Sequence, residues 1–224
     1  MIPVSEIYVG RMGEGIRTGV LTIFVRFAGC NFASEGHPCA WGTQGCDTKF
    51  AWYEKQKDYE VTVDDLVSAI KTLSAINRTV DICVTGGEPL YHLEAKEFID
   101  KLSAHRRYRV MIESNGSLPI WKGKCVWSLD LKCPSSGNTE YNNYDNLKFL
   151  TYDDQLKFVI GNKEDFDFAC KIIDTRPCST NVIFQPAWKV LNLKSLELWM
   201  RTVPEARLMV QQHKYIHGGR KRKV

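Results

Sequence analysis

The sequence has no apolar run near the roughly 20 residues that a membrane-spanning helix needs, so we expect no membrane anchor. Its first ten residues, MIPVSEIYVG, lack the basic and long apolar segments of a secretion signal. Low-complexity linkers and internal repeats are missing as well. With 44% hydrophobic residues to form a core, these absences predict one domain over residues 1–224, in the cytoplasm.

A large charge excess is also missing, since the net charge is only +4. The basic residues are scattered except in the final stretch, GGRKRKV. Charge runs at chain ends are usually solvated, so residues 217–224 are predicted to form a frayed tail. The alternative is a phosphate-binding arm, but the scattered charge elsewhere leads us to expect no direct nucleic-acid partner.

Strand-like and helix-like segments alternate after Val20. One segment shows the helical pattern clearly, with Thr62 as N-cap and apolar Val63, Leu66, Ile70 and Leu73 at helical spacing. Strands are predicted over 20–29, 79–87, 109–116, 126–132, 154–161, 180–186 and 206–212, and helices over 62–77, 94–105, 163–175 and 193–203. This alternation predicts parallel βαβ units that form an open barrel rather than a closed one of eight strands, with a site at the carboxyl ends of the strands.

A fourth cysteine is missing from the stretch that follows the first of these strands. Cys30, Cys39 and Cys46 lie there as C-x8-C-x6-C. His37 could complete a zinc site, because structural zinc takes four ligands. Alternatively, three thiolates could hold an iron–sulfur cluster and leave one iron open to another ligand. Five further cysteines, Cys83, Cys125, Cys133, Cys170 and Cys178, are predicted to be buried free thiols, although the last four could hold a second cluster.

A second motif, TGGEP over 85–89, ends the next predicted strand, and we expect its glycines to let the backbone approach a ligand closely. Together with the three cysteines, this motif resembles the radical S-adenosylmethionine (SAM) enzymes, whose usual spacing is C-x3-C-x2-C. The resemblance implies that Cys30, Cys39 and Cys46 ligate a [4Fe-4S] cluster whose open iron binds SAM.

A narrower resemblance runs from Glu6 to about Lys214. The stretches GEG, FVRFAGCN, CDT, TGGEP, ESNG, DLKCPSSG, QP and HK are similar in order and distance to the 7-carboxy-7-deazaguanine synthase family. The resemblance implies an abbreviated, open (β/α)6 barrel, a homodimer, Mg²⁺, and an electron donor such as flavodoxin or ferredoxin. The implied reaction is the ring contraction of 6-carboxy-5,6,7,8-tetrahydropterin to 7-carboxy-7-deazaguanine, with loss of ammonia, on the path to queuosine or archaeosine.

The same resemblance implies roles for individual residues. Thr48 matches a Mg²⁺ ligand, and no side chain is assigned as catalytic because the radical forms on SAM. Residues that match SAM contacts are Gly45, Asp47, Gly86, Gly87, Glu88, Asn115, Asp130, Lys132 and Gln185. Residues that match substrate contacts are Arg11, Met12, Gly13, Glu14, Arg26, Thr85 and His213, the last placed late in the final strand.

Two of these positions depart from the family, and two other functions stay open. Met12 stands where the family usually has glutamine, and Asp130 with Leu131 stands where many members have SPK. One alternative is another small radical enzyme, such as a glycyl-radical activase, which would act on a protein. A zinc- or cluster-bearing module that binds RNA through the basic tail is the other.

Overall fold

The computed structural model describes residues 1–40 and 45–218. Most of the predicted basic tail, residues 219–224, lies outside the described residues, while residue 217 ends a helix. No helix in the described part is long and apolar enough to cross a membrane.

Nine strands and six α-helices follow one another along the described chain. The strands are β1 (Ile2–Arg11), β2 (Leu21–Phe27), β3 (Tyr59–Val61), β4 (Asp81–Gly86), β5 (Arg109–Ser114), β6 (Val126–Leu131), β7 (Gln155–Ile160), β8 (Asn181–Pro186) and β9 (Ala206–Leu208). The helices are α1 (Asn31–Ser34), α2 (Val63–Asn77), α3 (Ala95–Ser103), α4 (Lys163–Thr175), α5 (Leu193–Met200) and α6 (Gln212–His217).

The strands form one sheet in the order β3-β1-β2-β4-β5-β6-β7-β8-β9. From β2 to β9 all neighbours are parallel, whereas β1 and β3 are antiparallel additions at one edge. The sheet is not closed, so the predicted open α/β barrel is confirmed. The final strand is shorter than predicted: it ends at Leu208, and Gln212 lies in α6 rather than in the strand.

Helix α2 begins where the sequence predicts. The Thr62 side chain accepts a hydrogen bond from the Asp65 N–H at 3.1 Å, which satisfies one of the free donors of the first turn. The helix ends at Asn77, because the next residue, Arg78, has a left-handed φ of 53° that breaks the helical path. Leu66 and Ile70 are buried and pack into the main core between the helices and the sheet.

Alternate residues of each strand face two different environments. On β2, Ile23 and Val25 belong to the main core, whereas Phe24 and Arg26 face the inside of the barrel. Register places these inner residues in layers, with Phe24 opposite Cys83 and Arg26 opposite Thr85. Met12, Phe24, Cys83 and Met111 form a small apolar cluster that fills the barrel below the polar layer.

Candidate active site

A cavity of about 370 Å³ opens at the carboxyl ends of the parallel strands. Both predicted motif regions and the segment 211–218 contribute to its walls. Every predicted site residue except Glu88 lines it: Arg11, Met12, Gly13, Glu14, Arg26, Cys30, Cys39, Gly45, Cys46, Asp47, Thr48, Thr85, Gly86, Gly87, Asn115, Asp130, Lys132, Gln185 and His213. Residues far apart in sequence therefore share one cavity, as the parallel topology requires.

The three cysteines of the first motif reach this cavity from different supports. Cys30 continues from β2, and its N–H donates to the Trp52 carbonyl at 2.9 Å. The Cys39 Sγ accepts a hydrogen bond from Asn138 Nδ2 at 3.7 Å, and the Cys46 Sγ lies 3.3 Å from the Thr48 Oγ1. Burial raises the pKa of the Cys30 thiol to about 12, and it also raises the pKa of Cys39.

This donor set fits an iron–sulfur cluster better than a zinc ion. Within residues 1–40 and 45–218, no three Cys, His, Asp or Glu side chains converge tightly enough to hold a single metal ion. A cluster takes thiolates spread around several irons, and three thiols on one cavity suit that larger group. Because binding deprotonates the ligands, metal binding would overcome the raised pKa of Cys30 and Cys39.

His37 does not complete a zinc site. Its Nδ1 lies 2.8 Å from Asn138 Oδ1 and its Nε2 lies 3.1 Å from Glu35 Oε2. The ring also stacks on Tyr141, with ring centroids 4.3 Å apart. Both ring nitrogens are occupied, so the zinc alternative loses its fourth ligand.

The two glycines of TGGEP line the cavity and also lie close to the protein's own backbone. A Cβ on Gly86 would lie 2.4 Å from the Phe27 carbonyl oxygen. A Cβ on Gly87 would lie 2.3 Å from the Gly29 oxygen and 2.6 Å from the Ala51 oxygen. The glycines therefore let the end of β4 pack against the backbone that leads into residues 30–40 and 45–48. These residues carry the three cysteines and are called the cysteine loop.

Glu88 acts inside the protein wall and does not line the cavity. Its carboxylate accepts hydrogen bonds from the Asn115 N–H at 2.6 Å and the Leu90 N–H at 3.0 Å. Burial raises the pKa of Glu88 to about 7. Asn115, which does line the cavity, is fixed further because its Nδ2 donates to Asn31 Oδ1 at 3.0 Å and its Oδ1 accepts from Ser117. Glu88 thus positions Asn115 rather than facing a ligand.

Two acceptor atoms on the cavity wall have no hydrogen-bond partner among the described residues. Lys132 Nζ binds Asp130 Oδ2 at 2.8 Å, but Asp130 Oδ1 is buried and unpaired. Gln185 Oε1 is in the same situation. Buried polar atoms are normally satisfied, so these two oxygens indicate where the donors of a polar ligand would bind.

Arg26 and Thr85 form the floor of the cavity, side by side on β2 and β4. Arg26 Nε donates to Glu6 Oε1 at 2.9 Å, and the side chain is 13% exposed. Its guanidinium also lies 5.6 Å from the centre of the Phe50 ring. Thr85 Oγ1 donates to Glu113 Oε2 at 2.8 Å. A guanidinium held in this way suits a carboxylate ligand, which it can bind through two parallel hydrogen bonds.

Glu14 lies at the centre of a hydrogen-bond network on the wall of the same cavity. Its carboxylate accepts from Lys157 Nζ at 2.8 Å, Gln185 Nε2 at 3.1 Å and Gln211 Nε2 at 2.7 Å. Although burial opposes ionisation, the Lys157 ammonium holds the pKa of Glu14 well below its usual range. Gln185, matched in sequence to a SAM contact, therefore places its amide nitrogen against Glu14.

Met12 and His213 take positions that the sequence did not predict. The Met12 side chain is buried with Phe24 and Met111, and its N–H donates to the Val20 carbonyl. His213 lies in the first turn of α6 rather than in a strand, and a Cβ on Gly13 would lie 2.3 Å from its Nδ1. A side chain at position 13 would therefore displace the His213 side chain.

Several residues on the cavity wall were missed by the sequence reasoning. They are Glu6, Glu113, Lys157, Gln211 and Lys214. The first three had a signal, because each is a charged residue inside an apolar strand and strand alternation turns it into the barrel. Lys214 had none: its Nζ reaches Asp47 Oδ2 at 2.6 Å and ties α6 to the cysteine loop, a contact that joins residues 167 positions apart.

The five remaining cysteines are free thiols. Cys83, Cys125 and Cys133 are buried, and Cys170 and Cys178 are half-buried. In the described part of the chain, no three metal-ligating side chains that include them converge tightly enough to hold a single metal ion.

Comparison with known proteins matches this architecture. The Radical SAM superfamily profile matches residues 28–124. The chain is similar to the 7-carboxy-7-deazaguanine synthase of Leptospira interrogans, with 34% identity over 96% of this chain and 95% of the relative. It is also similar to the 7-carboxy-7-deazaguanine synthase of Clostridium acetobutylicum, with 32% identity over 99% and 98% of the two chains.

A solved structure shows the same fold. The crystal structure of QueE from Escherichia coli superposes with a TM-score of 0.68 and 22% identity, over 95% of this chain and 94% of that one. The sheet, the three cysteines on one cavity and the profile match define a radical SAM enzyme. Within that class, the chain belongs to the 7-carboxy-7-deazaguanine synthase family.

Proposed function

We propose that this chain converts 6-carboxy-5,6,7,8-tetrahydropterin to 7-carboxy-7-deazaguanine with loss of ammonia, as a carbon–nitrogen lyase of 7-deazapurine biosynthesis. The observation that carries the proposal is a single cavity lined by three thiols and by the half-buried side chains of Arg26 and Glu14. A glycyl-radical activase needs a surface for a protein substrate. A cavity lined by a cation that can bind a carboxylate, Arg26, and an anion that can accept hydrogen bonds, Glu14, fits a small heterocyclic acid better.

On the cofactor side, we propose that Cys30, Cys39 and Cys46 hold the [4Fe-4S] cluster. The cluster and SAM, when bound, supply the 5′-deoxyadenosyl radical that removes a hydrogen atom from the substrate. The unpaired Asp130 Oδ1 supports a polar cofactor contact beside Lys132. The remaining residues proposed to contact SAM are Gly45, Asp47, Gly86, Gly87, Asn115 and Gln185, with Glu88 acting through Asn115.

On the substrate side, Arg26 would bind the pterin carboxylate through the guanidinium nitrogens other than Nε, which Glu6 occupies. Glu14 would accept hydrogen bonds from the N–H groups of the pyrimidine ring. Thr85 and His213 would contact the ring from two sides. Arg11, Met12 and Gly13 line the turn that carries Glu14, and the buried Met12 leaves only its backbone polar groups there. The residues around the substrate would orient its ring and exclude water.

Further parts of the proposal rest on chemistry outside the cavity floor. Thr48 would be a Mg²⁺ ligand, because a hydroxyl with substrate oxygens and waters is a suitable hard-donor set. Eight free thiols suit a reducing compartment, which supports a cytoplasmic enzyme reduced by flavodoxin or ferredoxin. We further propose that residues 1–224 form one domain and that the enzyme is a homodimer.

The proposal is tested by anaerobic turnover. The protein is reconstituted with iron and sulfide, reduced, and mixed with SAM, Mg²⁺ and 6-carboxy-5,6,7,8-tetrahydropterin, and the products are followed by mass spectrometry. We expect 7-carboxy-7-deazaguanine, and none from Cys39→Ala. If only 5′-deoxyadenosine forms, the radical chemistry stands but the substrate is wrong; if the protein binds no iron, the cluster assignment falls.

A further inference from the structure

We propose that Lys157 is a positioning residue of this reaction: it holds Glu14 as a fixed anion, so that Glu14 presents only acceptor oxygens to the substrate. No sequence motif marks Lys157, which lies inside strand β7 among apolar residues. The identity of the substrate rests on the proposed function, whereas the link between Lys157 and Glu14 can be tested without it.

Strand β7 fixes the turn that carries Glu14 at two points. Lys157 Nζ binds Glu14 Oε2 at 2.8 Å, and the Lys157 side chain is only 10% exposed. Two residues earlier on the same face, Gln155 Oε1 accepts the Ile16 N–H at 2.9 Å. Gln155 is itself fixed, because its Nε2 donates to Ser128 Oγ at 2.6 Å. The barrel wall therefore holds this turn in addition to the hydrogen bonds within the turn, such as that from the Met12 N–H to the Val20 carbonyl.

The charges around Glu14 show why a cation is needed at this place. Of its three hydrogen-bond donors, Gln185 and Gln211 are neutral amides, and only Lys157 carries a full charge. His213 on α6 also faces Glu14, but burial lowers the pKa of His213, which leaves its ring neutral near pH 7. Asp47 from the cysteine loop, Lys214 on α6 and Glu113 on β5 are the other charged groups that act on this cluster.

Lys157 is in turn surrounded by acids from two neighbouring parts of the barrel. Asp130 is its register partner on β6, and Glu113 on β5 acts on it from a greater distance. These carboxylates, with Glu14, raise the pKa of Lys157 against the effect of burial, so its ammonium stays charged. Lys157 thus stands between the acid of the proposed cofactor side and the acid of the proposed substrate side.

Removal of the cation would change what Glu14 offers to a ligand. An isolated buried carboxylate is unfavourable, and such a group takes up a proton instead. A protonated carboxyl carries a hydroxyl donor, which would point at the N–H donors of the pyrimidine ring. The predicted consequence is a loss of binding rather than a loss of the chemical step, because Lys157 acts through Glu14.

A double-mutant cycle tests this on turnover. The variants are Lys157→Met, Glu14→Gln and the two together, with Lys157→Arg to keep the charge and Lys171→Met, on the exposed side of α4, as a matched lysine loss. We expect Lys157→Met to raise KM roughly tenfold to hundredfold with a much smaller change in kcat, as for loss of a charged hydrogen bond. The rise should increase from about pH 8 to about pH 6, as Glu14 takes up its proton.

The same effect should disappear in the Glu14→Gln background, where no anion remains to be held. Lys157→Arg should restore most of the affinity. If the two substitutions multiply in KM, Lys157 contacts the substrate itself and the proposal is overturned.

Unfolding of the cluster-free protein by denaturant tests the same link without turnover. In the wild type, the lowered pKa of Glu14 makes its contribution to stability fully present above about pH 4.3. In Lys157→Met the folded pKa of Glu14 is raised by burial, so stability is lost as the pH rises above that value. The stability difference between the two proteins should therefore grow from about pH 5 to about pH 8, and vanish in pairs that carry Glu14→Gln. A stability difference that does not change with pH would overturn the proposal about Lys157. This test does not need turnover, so it can be read even if the wild type does not convert the pterin and the proposed function falls.

Discussion

Gly87→Ala is the substitution whose effect follows most directly from the geometry of the site. A Cβ at this position would lie 2.3 Å from the Gly29 oxygen, 2.6 Å from the Ala51 oxygen and 2.7 Å from the Gly29 carbonyl carbon. All three are backbone atoms, so no side-chain rotation relieves the overlap. The end of β4 and the start of the cysteine loop must move apart by roughly 1 Å to reach ordinary contact distance.

That movement breaks the hydrogen bonds that join the two segments. The Gly87 N–H donates to Phe27 at 3.2 Å and the Glu88 N–H donates to Gly29 at 2.9 Å. Overpacking costs about 1–3 kcal/mol and each of the two lost hydrogen bonds about 1 kcal/mol, so we expect a loss of about 3–5 kcal/mol. For a chain of this size, about 2–4 °C in Tm corresponds to each kcal/mol, which gives a fall of roughly 6–20 °C.

The assay is thermal unfolding of the cluster-free protein, followed by measurement of iron content after reconstitution. Gly123→Ala is the matched control, because a Cβ there would meet nothing closer than 3.4 Å. We expect Gly123→Ala to keep the wild-type Tm and iron content. If Gly87→Ala also kept both, to within about 2 °C, the argument that this glycine joins β4 to the cysteine loop would be refuted.

Three further predictions concern single side chains. Cys39→Ala should bind little iron after reconstitution, whereas Cys133→Ala, which removes a thiol from the main core, should bind iron normally but unfold at a lower temperature. Arg26→Lys should raise the KM for the pterin roughly tenfold or more, because an ammonium cannot form the paired hydrogen bonds of a guanidinium; an unchanged KM would show that the carboxylate binds elsewhere. Burial raises the pKa of Glu88 to about 7, so its contribution to stability should fall as the pH rises from about 4.3 to about 7. The unfolding free energies of wild type and Glu88→Gln should therefore be similar at acidic pH and differ increasingly above about pH 4.3.

The parallel part of the fold could be predicted because its signals are local. Thr62 caps α2, and apolar positions at helical spacing bury one face of that helix. The antiparallel edge was not predicted, since β1 is amphipathic with Glu6 turned inward and β3 has only three residues. Pairing of β1 with β2 depends on contacts between residues distant along the chain, which no local pattern records.

The meeting of the two motifs in one site could likewise be predicted from the sequence. Cys30 and TGGEP follow adjacent parallel strands, and parallel topology brings strand ends to one edge, so their meeting in one cavity followed from order alone. What each group does there was not fixed by order. Glu88 turns into the wall to hold Asn115, and Gly87 packs against backbone as well as lining the cavity.

The sequence by itself determined the class of fold, the three thiols and the side of the barrel on which the chemistry takes place, because spacing, alternation and strand order are properties of the chain alone. Only the tertiary structure decided which charges face each other. Lys157 and Glu14 are 143 positions apart, and Lys214 and Asp47 are 167 apart. The reason is that an ion pair in the barrel depends on three-dimensional distance and burial, and both come into being only when the sheet curves and brings its strands around one cavity.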